Sequence, residues 1–126
     1  MQAFGAPVIM TSSTHRRAAE RVAEAATKVE ADIVALVQAD EPMVVPEIID
    51  ATIAPVLEDE AVGCTNLVTR LESEEEYQDP NTVKVVMGPN RDAMYFSRSP
   101  IPWVSGLASD RTPAFKQVGI FSYRRD

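Results

Sequence analysis

The sequence predicts an α/β fold with an antiparallel addition, and three observations predict it. Apolar runs at 7–10, 33–38 and 62–69 alternate with two stretches of helical spacing. A turn-rich gap, Gly88-Pro89-Asn90-Arg91-Asp92, then separates two β-prone runs, 83–87 and 93–98. Val118 to Tyr123 forms one last β-prone run.

Taken in order, Pro7-Val8-Ile9-Met10 predicts a short first strand. Thr11-Ser12-Ser13-Thr14 supplies side-chain oxygens suited to capping a helix start. From His15 to Val29, a stripe of Ala18, Val22, Ala25, Ala26 and Val29 recurs at helical spacing, with Arg and Glu between. Ile33 to Gln38 is a continuous apolar strand of the kind found in parallel sheets covered on both faces. Pro46 suits the first position of a second helix, where its missing N–H costs nothing. Ile48, Ile49, Ile53, Val56 and Leu57 continue that helix, and Pro55 is expected to bend or shorten it. Val62 to Thr69 predicts another strand, and Glu72 to Tyr77 a charged short helix or loop. Residues 99–114 read as a Pro- and Ser-containing loop, and no repeat or low-complexity tract is visible.

With 126 residues, 45% of them apolar, the chain is long enough for one domain with a core. The net charge of −7 argues against a broad phosphate-backbone surface, which needs a basic patch. It leaves room for a nucleotide held through a metal, because carboxylates hold the metal and the metal holds the phosphates. Cys64 is the single cysteine, so no intrachain disulfide forms; in its apolar run it reads as a buried inert thiol. His15 is the single histidine, which gives little support to a Cys/His zinc site or a Ser-His-Asp triad. No run is long and apolar enough to span a bilayer and no leader pattern opens the sequence, so the cytoplasm is the default location. There is no G-x-G-x-x-G or Walker loop.

The candidate site is Gln38-Ala39-Asp40-Glu41-Pro42, where two adjacent carboxylates follow the apolar strand. In open α/β sheets ligands collect beyond the carboxyl ends of strands. A carboxylate there can hold Mg²⁺, which takes one or two carboxylates plus substrate phosphates. The competing reading is that one carboxylate caps the next helix and the other is solvated. The residues alone leave these two readings even.

Val37-Gln38-Ala39-Asp40-Glu41-Pro42 resembles the V-Q-G-D-E-P signature of the 3-deoxy-manno-octulosonate cytidylyltransferase (CMP-Kdo synthetase) family. Asp79 to Val86 resembles its N-P-N-x-V-K-V-V segment, and Tyr95 to Trp103 its Y-F-S-R-x-x-I-P-W segment. Val118 to Arg124 resembles its L-G-I-Y-G-Y-R strand, and His15 to Arg21 lies where the family has H-x-S-G-T-[DE]-R. The resemblance implies a nucleotide-diphospho-sugar transferase-like, Rossmann-like mixed sheet with a hairpin extension. It divides the chain into a parallel α/β part, 1–78, and a hairpin, dimerisation and return-strand part, 79–126. It implies transfer of CMP from CTP to the eight-carbon acidic sugar Kdo, giving CMP-Kdo and pyrophosphate for lipopolysaccharide synthesis. It implies Mg²⁺ as cofactor and a homodimer with its contact near the hairpin.

Residue by residue, the resemblance makes Asp40 the metal-binding catalytic carboxylate and turns Gln38 toward the sugar. It gives Arg98 the sugar carboxylate, which a planar guanidinium fork binds bidentately. The alternative for Arg98 is a salt bridge to an acidic neighbour. His15, Arg21, Gln117 and Tyr123 match or replace substrate-side positions. His15 and Arg21 have alternatives as a helix cap and as a surface partner of Glu20 or Glu24. Tyr95 and Trp103 read as packing or subunit contacts.

The sequence departs from the pattern at several places. Ala39 replaces a glycine, Ala18 and Ala19 replace Gly-Thr, Arg17 replaces a serine, and Gln117 replaces a histidine. The family's triphosphate-wrapping Pro-Ala-Arg…Leu-Pro-Gly-Lys loop would precede Met1, so the expectation is an N-terminally truncated enzyme without its anion cradle, for which both activity and inactivity of the chain alone stay open. Its sheet is expected to expose an edge that another copy or segment covers. A second metal-binding aspartate of the family lies beyond the matched region, and Asp126 is not it. The competing functions are a non-catalytic dimerisation or binding module of the same descent, and a cytidylyltransferase for another acidic sugar.

Overall fold

A computed structural model describes residues 5–103 and 114–125. Its elements are α1 (Ala18–Ala26), β1 (Ile33–Val37), α2 (Pro46–Glu58), β2 (Cys64–Arg70), α3 (Glu74–Gln78), β3 (Lys84–Met87), β4 (Ala93–Ser97) and β5 (Phe115–Arg124). The strands hydrogen-bond in the order β1-β5-β3-β4, with β2 also pairing β5. The α/β class with an open antiparallel sheet is thus what the chain forms. The chain divides into two compact units, residues 1–65 with 120–126, and residues 66–119.

In the first unit β1 pairs antiparallel with the end of β5, Ile33 opposite Arg124 and Val37 opposite Ile120. The parallel neighbour expected for β1 is replaced by a strand more than 80 residues later, and strand composition carries no label for its partner. Facing residues of an antiparallel pair share a side, so Val34 and Leu36 lie with Tyr123 and Phe121, while Ala35 and Val37 lie with Ser122 and Ile120. α1 covers the first side and α2 the second. On the α2 side, Thr52 Oγ1 lies 2.8 Å from Ser122 Oγ and donates to Ile49 O, and Thr65 Oγ1 donates to Thr52 O. Val56 and Ile120 are buried there, and Leu36 is buried on the α1 side.

Pro46 opens α2 as its first residue, and the helix runs through Pro55 to Glu58. Pro55 sits in the last turn, where it removes one backbone bond and leaves the C-terminal carbonyls able to accept from Asp59 N–H. Leu57, assigned to the buried stripe, is 68% exposed instead. α1 begins at Ala18, three residues later than expected, and its cap differs as well. The Glu20 carboxylate reaches back to accept from Arg16 N–H (2.9 Å) and Arg17 N–H (3.3 Å), in place of the 11–14 hydroxyls. Residues 7–10 form no strand; Val8, Ile9 and Met10 are exposed and have no ladder to join. Cys64 is exposed at the start of β2 rather than buried, and partial desolvation pushes its thiol above the ordinary range, away from a reactive thiolate.

In the second unit β3 pairs antiparallel with β4 and with the start of β5. The predicted hairpin forms. Its turn closes with Gly88 N–H to Asp92 O at 2.8 Å and Arg91 N–H to Gly88 O at 3.0 Å. Arg91 takes the left-handed conformation there, with φ 67°. Ser73 caps α3 by accepting from Glu76 N–H, and three glutamates in its first turn favour the positive helix end. Glu76 then pairs with Lys116 of β5. Tyr77, Val85 and Ala114 are buried in this unit. The 99–114 loop falls largely outside the described residues.

Candidate functional site

β1 delivers Gln38, Ala39 and Asp40 directly from its C-terminal end. The turn after it is held by Glu41 N–H to Gln38 O (3.1 Å) and Val44 N–H to Glu41 O (3.4 Å). Ala39 is not among the described residues with positive φ, so the turn does not need the glycine it replaces. These residues form one wall and floor of a cleft of about 420 Å³, lined also by Ala18, Arg21, Val22, Leu36 and Val37. Asp40 is exposed at its mouth and Gln38 is half-buried. Three of the predicted site residues, Arg21, Gln38 and Asp40, therefore meet in one place.

Arg21 is not a surface partner of Glu20 or Glu24. Its guanidinium donates to Thr11 Oγ1 (3.3 Å), Ser12 O (3.1 Å) and His15 O (3.2 Å), which ties the 11–15 segment to the cleft wall. Glu24 holds the same segment from the next turn of α1. Its carboxylate accepts from Ser12 N–H at 2.9 Å and Lys28 Nζ at 2.9 Å, and lies 2.6 Å from His15 Nε2. These bonds, Ser12 N–H first, pull the Glu24 carboxyl down to about 2. His15 Nδ1 also lies 3.9 Å from Glu20. Tyr123 lines a different cavity of about 450 Å³, with Ala19, Val22, Ala23, Ala26 and Val34, so it does not share the Asp40 cleft. Burial pushes its phenol up.

Arg98 and Gln117 belong to the second unit. Arg98 is exposed, and its Nη1 donates to Pro80 O (2.9 Å) and Asn81 O (3.1 Å), carbonyls in place of the acidic neighbour that was the alternative reading. Gln117 is half-buried, and its backbone N–H donates to Val83 O at 2.8 Å. Sequence reasoning passed over Lys84 here. It is 0% exposed, and its ammonium donates to Asp79 O, Thr82 O and Arg98 O. The available signal was a lysine inside the apolar run Val83-Lys84-Val85-Val86, where strand alternation places it inward beside a turn rich in carbonyls.

Mg²⁺ fits the cleft in a limited sense. Among the described residues no three His, Cys, Asp or Glu side chains cluster, so no protein-only cage exists. A single open carboxylate at a strand end suits an ion that keeps most of its waters and takes its remaining oxygens from phosphates. No described helix is long and apolar enough to cross a membrane.

A strand-end cleft flanked by a helix and lined by a carboxylate and an amide lies where open α/β sheets collect ligands. A profile described as Cytidylyltransferase matches residues 1–126, and the chain belongs to that family. It is 41% identical over 135 residues to a 3-deoxy-manno-octulosonate cytidylyltransferase of Geobacter metallireducens, covering 100% of this chain and 53% of that protein. It is 43% identical over 125 residues to the namesake of Solibacter usitatus, covering 99% of this chain and 49% of that one. A solved CMP:2-keto-3-deoxy-manno-octonic acid synthetase complexed with CTP matches with a TM-score of 0.88 and 40% identity, over 99% of this chain and 51% of that one. The chain thus spans about half the length of these relatives.

Proposed function

We propose that the chain carries the metal-side and sugar-side parts of a cytidylyltransferase that makes CMP-Kdo for lipopolysaccharide synthesis. The anomeric hydroxyl oxygen of Kdo forms a bond to the α-phosphorus of CTP, the bond to the bridging oxygen breaks, pyrophosphate leaves, and the hydroxyl proton passes to solvent. Such a transfer asks for alignment and charge neutralisation more than for covalent participation by the protein. Mg²⁺, when bound, neutralises charge on the phosphates. Asp40 would hold that ion, and Gln38 would orient the sugar from the same strand end. Arg98 would pair with the sugar carboxylate. Arg21, committed to three oxygens, would shape the wall and fix the 11–15 segment. The observation that carries the reading is Asp40, exposed at the mouth of a cleft that also holds Gln38 and Arg21.

Purified chain mixed with CTP, Kdo and Mg²⁺ should release pyrophosphate, and Asp40→Ala should reduce the release by roughly a hundredfold or more. A chain that binds Kdo but releases nothing supports a second reading, a binding module of the same descent. That reading is favoured by the engagement of Arg21 with a hydroxyl and two carbonyls of its own chain. Equal release by parent and Asp40→Ala would remove Asp40 from the mechanism.

We further propose a homodimer through the β4 edge. Met94 (71% exposed), Tyr95 (62%) and Trp103 (87%) present large apolar surface in the hairpin and the segment after it.

A further inference from the structure

We infer that Lys84 is a positioning residue, whose task is to set the backbone and guanidinium of Arg98 for an acidic sugar; this rests on the function proposed above. Burying an ammonium is costly unless each donor is matched. Lys84 has three donors and no exposure, and the three partners are all backbone carbonyls: Asp79 O at 2.5 Å, Thr82 O at 2.9 Å and Arg98 O at 2.9 Å. The Asp79 carboxylate, the nearest acid, is spent on its own turn instead. It accepts from Asn81 N–H (2.8 Å), Asn81 Nδ2 (3.1 Å) and Thr82 Oγ1 (3.3 Å).

Arg98 uses the other half of the same turn. Its Nη1 donates to Pro80 O and Asn81 O. Four successive carbonyls, 79 to 82, therefore face two cations, the outer pair on Lys84 and the inner pair on Arg98. Lys84 also grips the carbonyl of Arg98 itself. The arginine is held at its backbone by one cation's bonds and at its tip by the turn that the same cation organises. A neutral residue would fill the space of Lys84 but would leave three converging carbonyls unmatched. The residue so fixed is exposed, and a guanidinium with less freedom to lose binds a carboxylate at a lower entropic cost.

The test is a double-mutant cycle on the full chain, with Kdo binding measured by calorimetry for the parent, Lys84→Met, Arg98→Ala and the pair. Lys84→Met should weaken binding roughly tenfold or more, the worth of a charge-assisted hydrogen bond. In the Arg98→Ala background the same change should have no further effect on affinity, although it still lowers the melting temperature. A structural role alone would lower affinity equally in both backgrounds. Should Lys84→Met not fold, Lys84→Arg carries the cycle, since it keeps the buried cation but its planar fork cannot serve three converging carbonyls. Undiminished loss in the Arg98→Ala background, or no loss at all, overturns the inference. A parent chain that binds no Kdo overturns the proposed function and the Kdo-directed role of Lys84 with it, whereas normal parent binding with an uncoupled cycle overturns Lys84 alone.

Discussion

Glu24 is a half-buried carboxylate with a structural duty, and its titration exposes that duty. Its folded value, about 2, lies below the ordinary 4.5, chiefly because it accepts from Ser12 N–H, then from Lys28 and His15. A carboxyl depressed on folding stabilises the folded form above its unfolded value and loses that contribution as pH falls through its folded one. The 11–15 segment should therefore stay clamped at pH 5 and above and loosen as pH falls from 4.5 toward 2. The Ser12 amide resonance, followed by NMR, should titrate with a midpoint near 2. In Glu24→Gln that titration should vanish; its persistence would assign the anchor to another group. Legibility differs among these residues. Asp40 was readable because an acid after an apolar strand is a local pattern. The bonds made by Glu24, Arg21 and Lys84 were not, because their partners are mostly carbonyls and amides of other segments, and every residue offers those alike.

Elements were legible where their signals are local. Pro46 opens α2 and the Gly88–Asp92 turn joins β3 to β4, each set by chemistry within a few residues. The 7–10 run failed as a strand because a strand exists only against a neighbour, and periodicity cannot supply one. The Thr52–Ser122 contact between α2 and β5 belongs to the same class of non-local facts, joining residues 70 apart. Ser122 is fully buried, so Thr52→Val should leave its hydroxyl unmatched and cost roughly 1–3 kcal/mol. Replacing both, Thr52→Val with Ser122→Ala, should recover most of that loss, since no buried polar group is then stranded. Denaturant titration measures Thr52→Val, Ser122→Ala and the pair, and a double variant as unstable as the sum of both singles would contradict this account.

Across the full chain, β5 gives its first half to one unit and its second half to the other, while β1 and β4 stand at the ends of the strand order. End strands carry unpaired backbone edges, and β4 adds exposed Met94 and Tyr95 to its edge. The proposed dimer should survive about 1 M salt, where the screening length falls to about 3 Å, because its contact is apolar rather than ionic. Light scattering on the parent and on Met94→Lys with Tyr95→Lys checks it: the parent should be dimeric and the variant monomeric. A parent that is monomeric at micromolar concentration would leave the β4 face without the partner proposed for it.

Family, α/β class, the start of α2 and the strand-end acid were all written in short stretches of the chain, because turns, helix-opening prolines and motifs act over a few residues. Strand partners, the antiparallel ladder of β1 and the burial of Lys84 were not, because they depend on which distant backbone arrives alongside. Hydrogen bonds between carbonyls and amides are chemically the same everywhere along the chain, so only folding chooses among them.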